Sequence, residues 1–200
     1  MSILSWQWSL ALIALFGMAL AQTSTPKPAT GTPSKAIAAL AKLEGKTLDV
    51  ALLSQLLEFH DAAFEVVQEE LIVGRRKEVK ASADAMFDSL GLETRQFEAW
   101  LRAWYALKPD STQRALVRQD VQAIVDWGRG RVAAGHDMNM AADPDRSFLE
   151  AIILHHEGEL ELLKAADRSG RPELRAEGQR LSNLHGQELT RLRAQLANLN

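Results

Sequence analysis

The chain has 200 residues, of which 46% are hydrophobic and 24% are charged, enough apolar material for one sizeable core. Its 23 basic and 26 acidic residues give a formal net charge of -3, so neither nucleic acid nor an anionic membrane surface is an expected partner. The absence of cysteine excludes disulfides, thiolate metal sites and cysteine nucleophiles, so any metal ion must be bound by His, Met, Asp or Glu.

Residues 1–21 predict a signal peptide. They contain no charged side chain, carry an apolar run from Leu10 to Leu20, and end in the small residues Ala19 and Ala21 around Leu20. Cleavage after this segment predicts a periplasmic or extracellular protein with no stable membrane insertion. Because a basic n-region is missing, an uncleaved segment that anchors the protein to the membrane is the alternative.

Residues 22–35 predict a disordered linker, because they hold three prolines and several Thr and Ser residues with little apolar surface to bury. From residue 36 onward, apolar residues recur three and four apart and no stretch alternates like a β-strand. The pattern predicts an all-α domain over residues 36–200. Its helices are expected at about 36–43, 48–73, 77–107, 111–134, 145–166 and 172–196.

Two segments of the domain resemble each other. Asp49 lies eleven residues before His60, and Asp145 lies eleven residues before His156. A single helix hairpin cannot cover its own apolar stripe, whereas two hairpins packed together form a four-helix core. The sequence therefore predicts two related antiparallel hairpins and a helix that joins them: repeat 1 at about 49–107, a crossover helix at 111–134, and repeat 2 at 145–196.

All four helices of the predicted bundle carry a polar residue on their apolar seam. These residues are His60, Glu93, His156, His185 and Glu188. Residues equally distant from a hairpin turn lie at the same level of an antiparallel pair, since each residue adds about 1.5 Å. His156 should therefore face His185, and His60 should meet Glu93.

A buried imidazole or carboxylate without a partner costs several kcal/mol, which leaves two interpretations of these residues. In the first, each imidazole forms a hydrogen bond with a neighbouring carboxylate and sets the helix register. In the second, the side chains bind Zn, Cu or Fe between the helices. The candidate ligands are His156, His185, Glu188, His60, Glu93, His155 and Glu159.

The sequence gives a further expectation for each of His185, His155 and Glu159. Leu90 stands where the second repeat has His185, so a complete metal site belongs to the second hairpin. His155 is expected at the edge of its seam, because adjacent helix positions point about 100° apart. Glu159 lies three residues after His156 and could join the ligands, but an exposed helix glutamate is the commoner case.

A second candidate metal site is the loop that contains His136, Met138 and Met140. Imidazole and thioether are soft enough to bind Cu(I), and alternate residues of an extended segment can surround a small ion. The alternative is that these methionines fill gaps in the core, which is the more common role of methionine near a helix end.

The C-terminal motifs resemble the bacterial domain-of-unknown-function family 305. The residues that carry the resemblance are Asp145-x-x-Phe148, Ile152-Ile153-Leu154-His155-His156-Glu157-Gly158, Pro172-Glu173-Leu174-Arg175 and Gln187-Glu188-Leu189. The resemblance implies a ferritin-like four-helix bundle, export to the periplasm or cell surface and, in some members, copper binding through His and Met. It implies no enzyme activity.

Two hypotheses of function follow. The first is a non-catalytic exported protein that binds copper or another transition metal, for buffering or carriage. The alternative is a structural or protein-interaction bundle that binds no metal. We do not expect an enzyme, because the sequence shows no phosphate-binding loop, nucleophile motif or zinc-protease signature.

Overall fold

The computed structural model describes residues 27–28, 31–135 and 143–199, with the side chains of residues 130–135 excepted. Within these ranges every regular element is helical. The helices are α1 (Ser34–Leu40), α2 (Gly45–Val73), α3 (Lys77–Tyr105), α4 (Ser111–Gly135), α5 (Pro144–Leu163) and α6 (Pro172–Ala197). The prediction of an all-α domain is confirmed, and the predicted signal peptide lies outside the described residues.

The observed helix ends lie within three residues of the predicted ones. The residues expected to form the last turn of α5 instead form a 3-10 segment, Lys164–Arg168. α5 begins where the sequence supplies a cap: the side chain of Asp143 accepts a hydrogen bond from the Asp145 amide, and Pro144 occupies the first turn.

α2 and α5 are the central helices of the domain. α2 packs against α3, α4 and α5, while α5 also packs against α4 and α6. Fifteen of the 20 residues of α5 are buried, so this helix is covered on more than one side. The amphipathic pattern of a helix that lies on a surface would leave a polar face in solvent. In α5, the neighbouring helices also bury polar residues that such a pattern would leave in solvent.

The predicted crossover helix, α4, is part of the packed domain. It contacts both α2 and α5, and Val117, Val121 and Ile124 contribute to the core. Two arginines of α4 form ion pairs with the buried Glu58 of α2, each with a nitrogen to oxygen distance of 2.6 Å. α4 therefore connects α2 and α5 through packing as well as through the chain.

The segment before α1 lies against α5. Gly31 and Pro33 are buried, although the sequence predicts a disordered linker up to residue 35. A Cβ atom at Gly158 would lie 2.0 Å from the Gly31 carbonyl oxygen, and one at Gly31 would lie 1.7 Å from the Leu154 carbonyl oxygen. Two glycines thus permit a backbone contact that composition does not reveal.

A group of charged residues, here called the turn cluster, joins the α2–α3 turn to the start of α5. It consists of Glu70, Arg76, Asp143 and Asp145. Asp145 is fully buried and accepts hydrogen bonds from the backbone amides of Arg75 and Arg76, at 2.8 and 3.2 Å. The Arg76 guanidinium donates to Asp143 and to Asp145, both at 2.6 Å. The backbone of the α2–α3 turn is therefore held by a carboxylate from the first turn of α5.

None of the helices in the described part of the chain combines the length and the apolar character needed to cross a membrane.

Candidate metal centre

Four histidines and three glutamates converge in the core between α2, α3, α5 and α6. This core cluster consists of His60, Glu93, His155, His156, Glu159, His185 and Glu188, which are the seven candidate ligands of the first predicted site. The first six are at most 5% exposed, and the Glu188 side chain is 12% exposed. Folding therefore brings together residues that are as far as 128 positions apart in the sequence.

Glu159 lies at the centre of the core cluster. Its Oε1 is 3.0 Å from His60 Nε2, and its Oε2 is 3.4 Å from His185 Nδ1 and 3.7 Å from His155 Nε2. Glu159 is 1% exposed, so the expectation of an exposed helix glutamate is wrong. His155 is 3% exposed and thus lies deeper than the seam edge where we expected it. Both corrections have one cause, since α5 is covered on more than one side.

The expected contact between α5 and α6 is present. His156 Nε2 lies 2.9 Å from Glu188 Oε2, and the rings of His156 and His185 are 4.6 Å apart between centroids. One nitrogen or oxygen atom from each of these three residues lies within 4.8 Å of those from the other two. The prediction that His156 faces His185 is confirmed.

The expected contact between α2 and α3 is looser. His60 Nε2 lies 3.7 Å from Glu93 Oε2, whereas its hydrogen bond goes to Glu159 of α5. Arg180 of α6 provides a closer partner for Glu93, at 3.2 Å, and Thr94 lies 3.3 Å from His60 Nδ1. Sequence analysis missed Thr94 and Arg180, because neither interrupts an apolar seam.

Four buried atoms of the core cluster have no hydrogen-bond partner among the described residues. They are His155 Nε2, His156 Nδ1, Glu159 Oε2 and His185 Nδ1. A buried polar atom that loses its hydrogen bond to water costs about 1–3 kcal/mol. The first interpretation, in which each imidazole pairs with a carboxylate, explains the bonded atoms of His60 and His156 but not these four.

The protein environment keeps two of the imidazoles neutral. Burial lowers the pKa of His155 to about 3 and that of His185 to about 4, with Glu159 acting in the opposite direction. Only a neutral imidazole has a lone pair with which to bind a metal ion. At neutral pH both side chains are therefore in the form that a metal site requires.

The buried glutamates differ from one another. Burial alone would raise the pKa of Glu159, but the imidazoles of His185 and His60 hold it well below its usual range. Burial raises the pKa of Glu93 to about 7, although the charge of His60 opposes the shift. For His60, burial disfavours the charged form, yet the hydrogen bond to Glu159 raises the pKa. Glu159 is therefore the ionised carboxylate at the centre of the cluster.

Aromatic side chains border the core cluster on the α2 and α3 sides. The rings of Phe59 and His155 are 5.0 Å apart, and those of Phe97 and His60 are stacked at 5.3 Å. Phe59 and Phe97 are themselves fully buried. These apolar neighbours lower the local dielectric constant and strengthen electrostatic interactions inside the cluster.

The second predicted site, His136, Met138 and Met140, lies outside the described residues. The interpretation of this loop as a thioether copper site stays a prediction.

The fold and the core cluster define an all-helical protein with a buried centre of histidines and glutamates. Comparison with known families gives a match between residues 17–101 and the model of DUF305, a domain of unknown function. The match confirms the family resemblance, and it falls on the first half of the chain rather than on the C-terminal motifs. No curated protein matches the sequence.

One solved structure with a similar fold is described as CopM in the Cu(II)-bound form. The TM-score is 0.61 at 15% sequence identity, and the match covers 76% of this chain and 97% of the other. At this level of identity the similarity shows the helical fold alone.

Proposed function

We propose that this protein is a non-catalytic exported protein that binds copper, or another transition metal, for buffering or carriage. The observation that carries the proposal is the close approach of His156, His185 and Glu188, whose potential ligand atoms all lie within 4.8 Å of one another. Imidazole and carboxylate donors suit Cu(II), Zn(II) and iron. The family match and the similar fold of a copper-bound protein favour copper among these ions.

Elemental analysis of the purified protein, with and without added copper, tests this function. We expect about one or more copper ions per chain in the wild type and a large loss in the double variant His156→Ala/His185→Ala. The triple variant His136→Ala/Met138→Ala/Met140→Ala tests the loop separately and should retain the copper of the core cluster. If the wild type binds copper more weakly than a Kd of about 10 μM, roughly -7 kcal/mol, the proposal is wrong.

Export is part of the proposal and rests on residues 1–21. N-terminal sequencing of the protein recovered from the periplasm or medium of an export-competent host should give a chain that starts at about Gln22. A chain that retains Met1 and fractionates with membranes would instead indicate an uncleaved anchor.

We also infer that the helices form the ferritin-like arrangement of two hairpins related by a repeat. Residues 74–76 join α2 to α3, and the 3-10 segment Lys164–Arg168 followed by residues 169–171 joins α5 to α6. His60 and Glu93 in the first hairpin correspond to His156 and Glu188 in the second, and each pair lies within 3.7 Å. Superposition of the two hairpins in an experimental structure tests this inference.

A structural bundle without metal is the second candidate function. It is favoured by the two histidine and glutamate hydrogen bonds, His60 to Glu159 at 3.0 Å and His156 to Glu188 at 2.9 Å. If these bonds only set the helix register, replacing His156 and Glu188 together by leucine should leave the free energy of unfolding unchanged or raise it. Urea unfolding of that double variant, combined with its copper content, separates the two candidates.

A further inference from the structure

A groove runs along the surface of the bundle between α3 and α6. In the described part of the chain these two helices are not one of the closely packed pairs, since α3 packs mainly on α2 and α6 mainly on α5. Side chains bridge them instead at two levels. Gln195 donates to Ser82 Oγ at 3.1 Å, and Arg180 donates to Glu93 Oε1 at 3.2 Å. The groove begins at the first bridge and extends toward the second.

Small side chains on α3 leave room for this groove. Ala81, Ser82 and Ala85 line it, and Met86, which is 5% exposed, lies deeper. The residues that line it on the α6 side are Glu188, Arg191, Leu192 and Gln195. The groove has a volume of about 260 Å³. A single water molecule needs only about 10–15 Å³ of such space, so the groove admits a hydrated cation.

Glu188 connects the groove to the core cluster. Its side chain is 12% exposed and lines the groove, and its Oε2 lies 2.9 Å from His156 Nε2. Its Oε1 lies 3.8 Å from the guanidinium of Arg191, whose side chain is 69% exposed. An ion pair with such an exposed partner contributes little to stability. An incoming cation can therefore displace the guanidinium.

On its other sides the core cluster is covered by aromatic rings and by backbone, as far as the described residues reach. Its six members other than Glu188 are at most 5% exposed. The buried rings of Phe59 and Phe97 lie against His155 and His60. The backbone of Gly31 packs on α5. An ion that crossed these surfaces would lose its water without gaining a ligand, which costs far more than passing a carboxylate.

From this arrangement we infer that the groove between α3 and α6 is the route by which small cations reach the core cluster, and that Glu188 receives them. The inference rests on the proposed function for the identity of the cation and goes beyond it, because it concerns the path of the ion. The two oxygens of Glu188 lie near Arg191 on the outside and His156 on the inside. A change of rotamer in a partly exposed side chain is fast, so the helices need not separate.

Stopped-flow measurement of Cu(II) binding to the full exported protein tests the route. Ala85→Trp fills the groove with an indole ring. We expect it to slow association and dissociation at least tenfold and equally, with an unchanged Kd, because an obstruction on the path raises the barrier and leaves the bound state as it was. Ala103→Trp is the matched control, at an exposed alanine of α3 outside the groove, and should keep the wild-type rates.

A second measurement needs no copper. The chain contains no cysteine, so His156→Cys supplies a single thiol inside the core cluster. A small cationic methanethiosulfonate reagent should modify this thiol at least tenfold more slowly when Ala85→Trp is added. Adding Ala103→Trp should leave the labelling rate unchanged. Circular dichroism establishes that each variant is folded.

The inference is wrong if Ala85→Trp, in a folded protein, leaves either rate unchanged, or if Ala103→Trp slows both rates as much. A wild type that binds no Cu(II) overturns the proposed function, and the labelling rates still decide whether the groove is the route. The two failures are therefore distinguishable.

Discussion

The turn cluster and the core cluster both bury carboxylates, but they stabilise them differently. In the turn cluster, Asp145 is surrounded by permanent donors, namely two backbone amides and the Arg76 guanidinium. In the core cluster, Glu159 is surrounded by imidazoles, and one of its oxygens has no hydrogen bond from the described residues. Neutral imidazoles can bind a metal ion, whereas an arginine or a backbone amide cannot.

Buried charge has a structural role in the turn cluster, whereas the proposed role of the core cluster is to bind a metal ion. Both carboxylate oxygens of Asp145 accept hydrogen bonds, so Asp145 holds two parts of the chain together and has no unpaired oxygen left for a ligand. A group with unpaired donors lowers the stability of the metal-free protein and gains from an added ion. Variants of the turn cluster should therefore lower the free energy of unfolding without changing copper binding. Variants around Glu159 should weaken copper binding without lowering the free energy of unfolding.

The largest effect is expected from Asp145→Ala. The substitution leaves the backbone amides of Arg75 and Arg76 without their acceptor, and it removes one partner of the Arg76 guanidinium. We expect the free energy of unfolding to fall by about 3 kcal/mol, measured by urea denaturation. Copper binding by the folded variant should equal that of the wild type.

The matched control for this variant is Glu98→Ala, which breaks the exposed ion pair with Arg102 at 3.4 Å. Its free energy of unfolding should stay within about 0.5 kcal/mol of the wild type. An Asp145→Ala variant as stable as Glu98→Ala would show that the turn cluster does not hold the α2–α3 turn against α5.

A pH dependence should distinguish Glu70 of the turn cluster. Burial and the adjacent Asp145 raise the pKa of Glu70 to about 9 from 4.5. The folded protein thus keeps a proton that the unfolded chain releases above about pH 4.5, so the stability should decrease as the pH rises from about 4.5 to about 9. The slope from this group is at most about 1.4 kcal/mol per pH unit.

Glu70→Gln should remove this part of the slope, because glutamine stays neutral at every pH. Thermal or urea unfolding at several values between pH 5 and 9 measures the difference from the wild type. Glu69→Gln, at the half-buried neighbouring position, is the control and should keep the wild-type slope. Parallel curves for Glu70→Gln and the wild type would contradict the protonated state of Glu70.

A smaller effect is expected where the N-terminal segment covers α5 next to His155. A Cβ atom at Gly158 would lie 2.0 Å from the Gly31 carbonyl oxygen and 3.2 Å from the Phe59 ring. Gly158→Ala should lower the free energy of unfolding by about 1–3 kcal/mol, or release residues 31–33 from α5. Urea unfolding measures the first outcome, and faster proteolytic cleavage before α1 detects the second.

Gly186→Ala is the matched control, since a Cβ atom at this helical position meets nothing within 4 Å. Alanine there should stabilise α6 by about 0.5–1 kcal/mol. If both alanine variants were stabilised equally, the contact between Gly31 and Gly158 would not contribute to the fold.

Much of the core cluster could be predicted from the sequence, because local rules apply to it. The spacing of His185 and Glu188 between Leu181 and Leu192 predicts both on the apolar seam of α6. His185 is buried there, whereas Glu188 lies at the edge, with its side chain 12% exposed. The distances of His156 and His185 from their common turn place them at one level, and the structure puts their rings 4.6 Å apart. Helical periodicity and distance from a shared turn suffice for such contacts between helices that follow each other in the sequence.

Contacts between helices that are distant in the sequence could not be predicted in this way. Glu159 lies 99 residues from His60 in the sequence, and no periodic pattern relates the two. The composition of residues 22–35 also gave no sign that Gly31 packs against Gly158, because a close backbone contact requires only the absence of side chains.

The sequence by itself determined the helices, their buried seams and the polar residues on them, since these follow from the period of the α-helix and from the cost of burying unpaired charge. Only the tertiary structure decided that α5 is covered on more than one side and that Glu159 therefore lies at the centre of the core cluster. The physical reason is that a helix pattern records which residues avoid water, whereas the packing of the other helices decides which residues they meet.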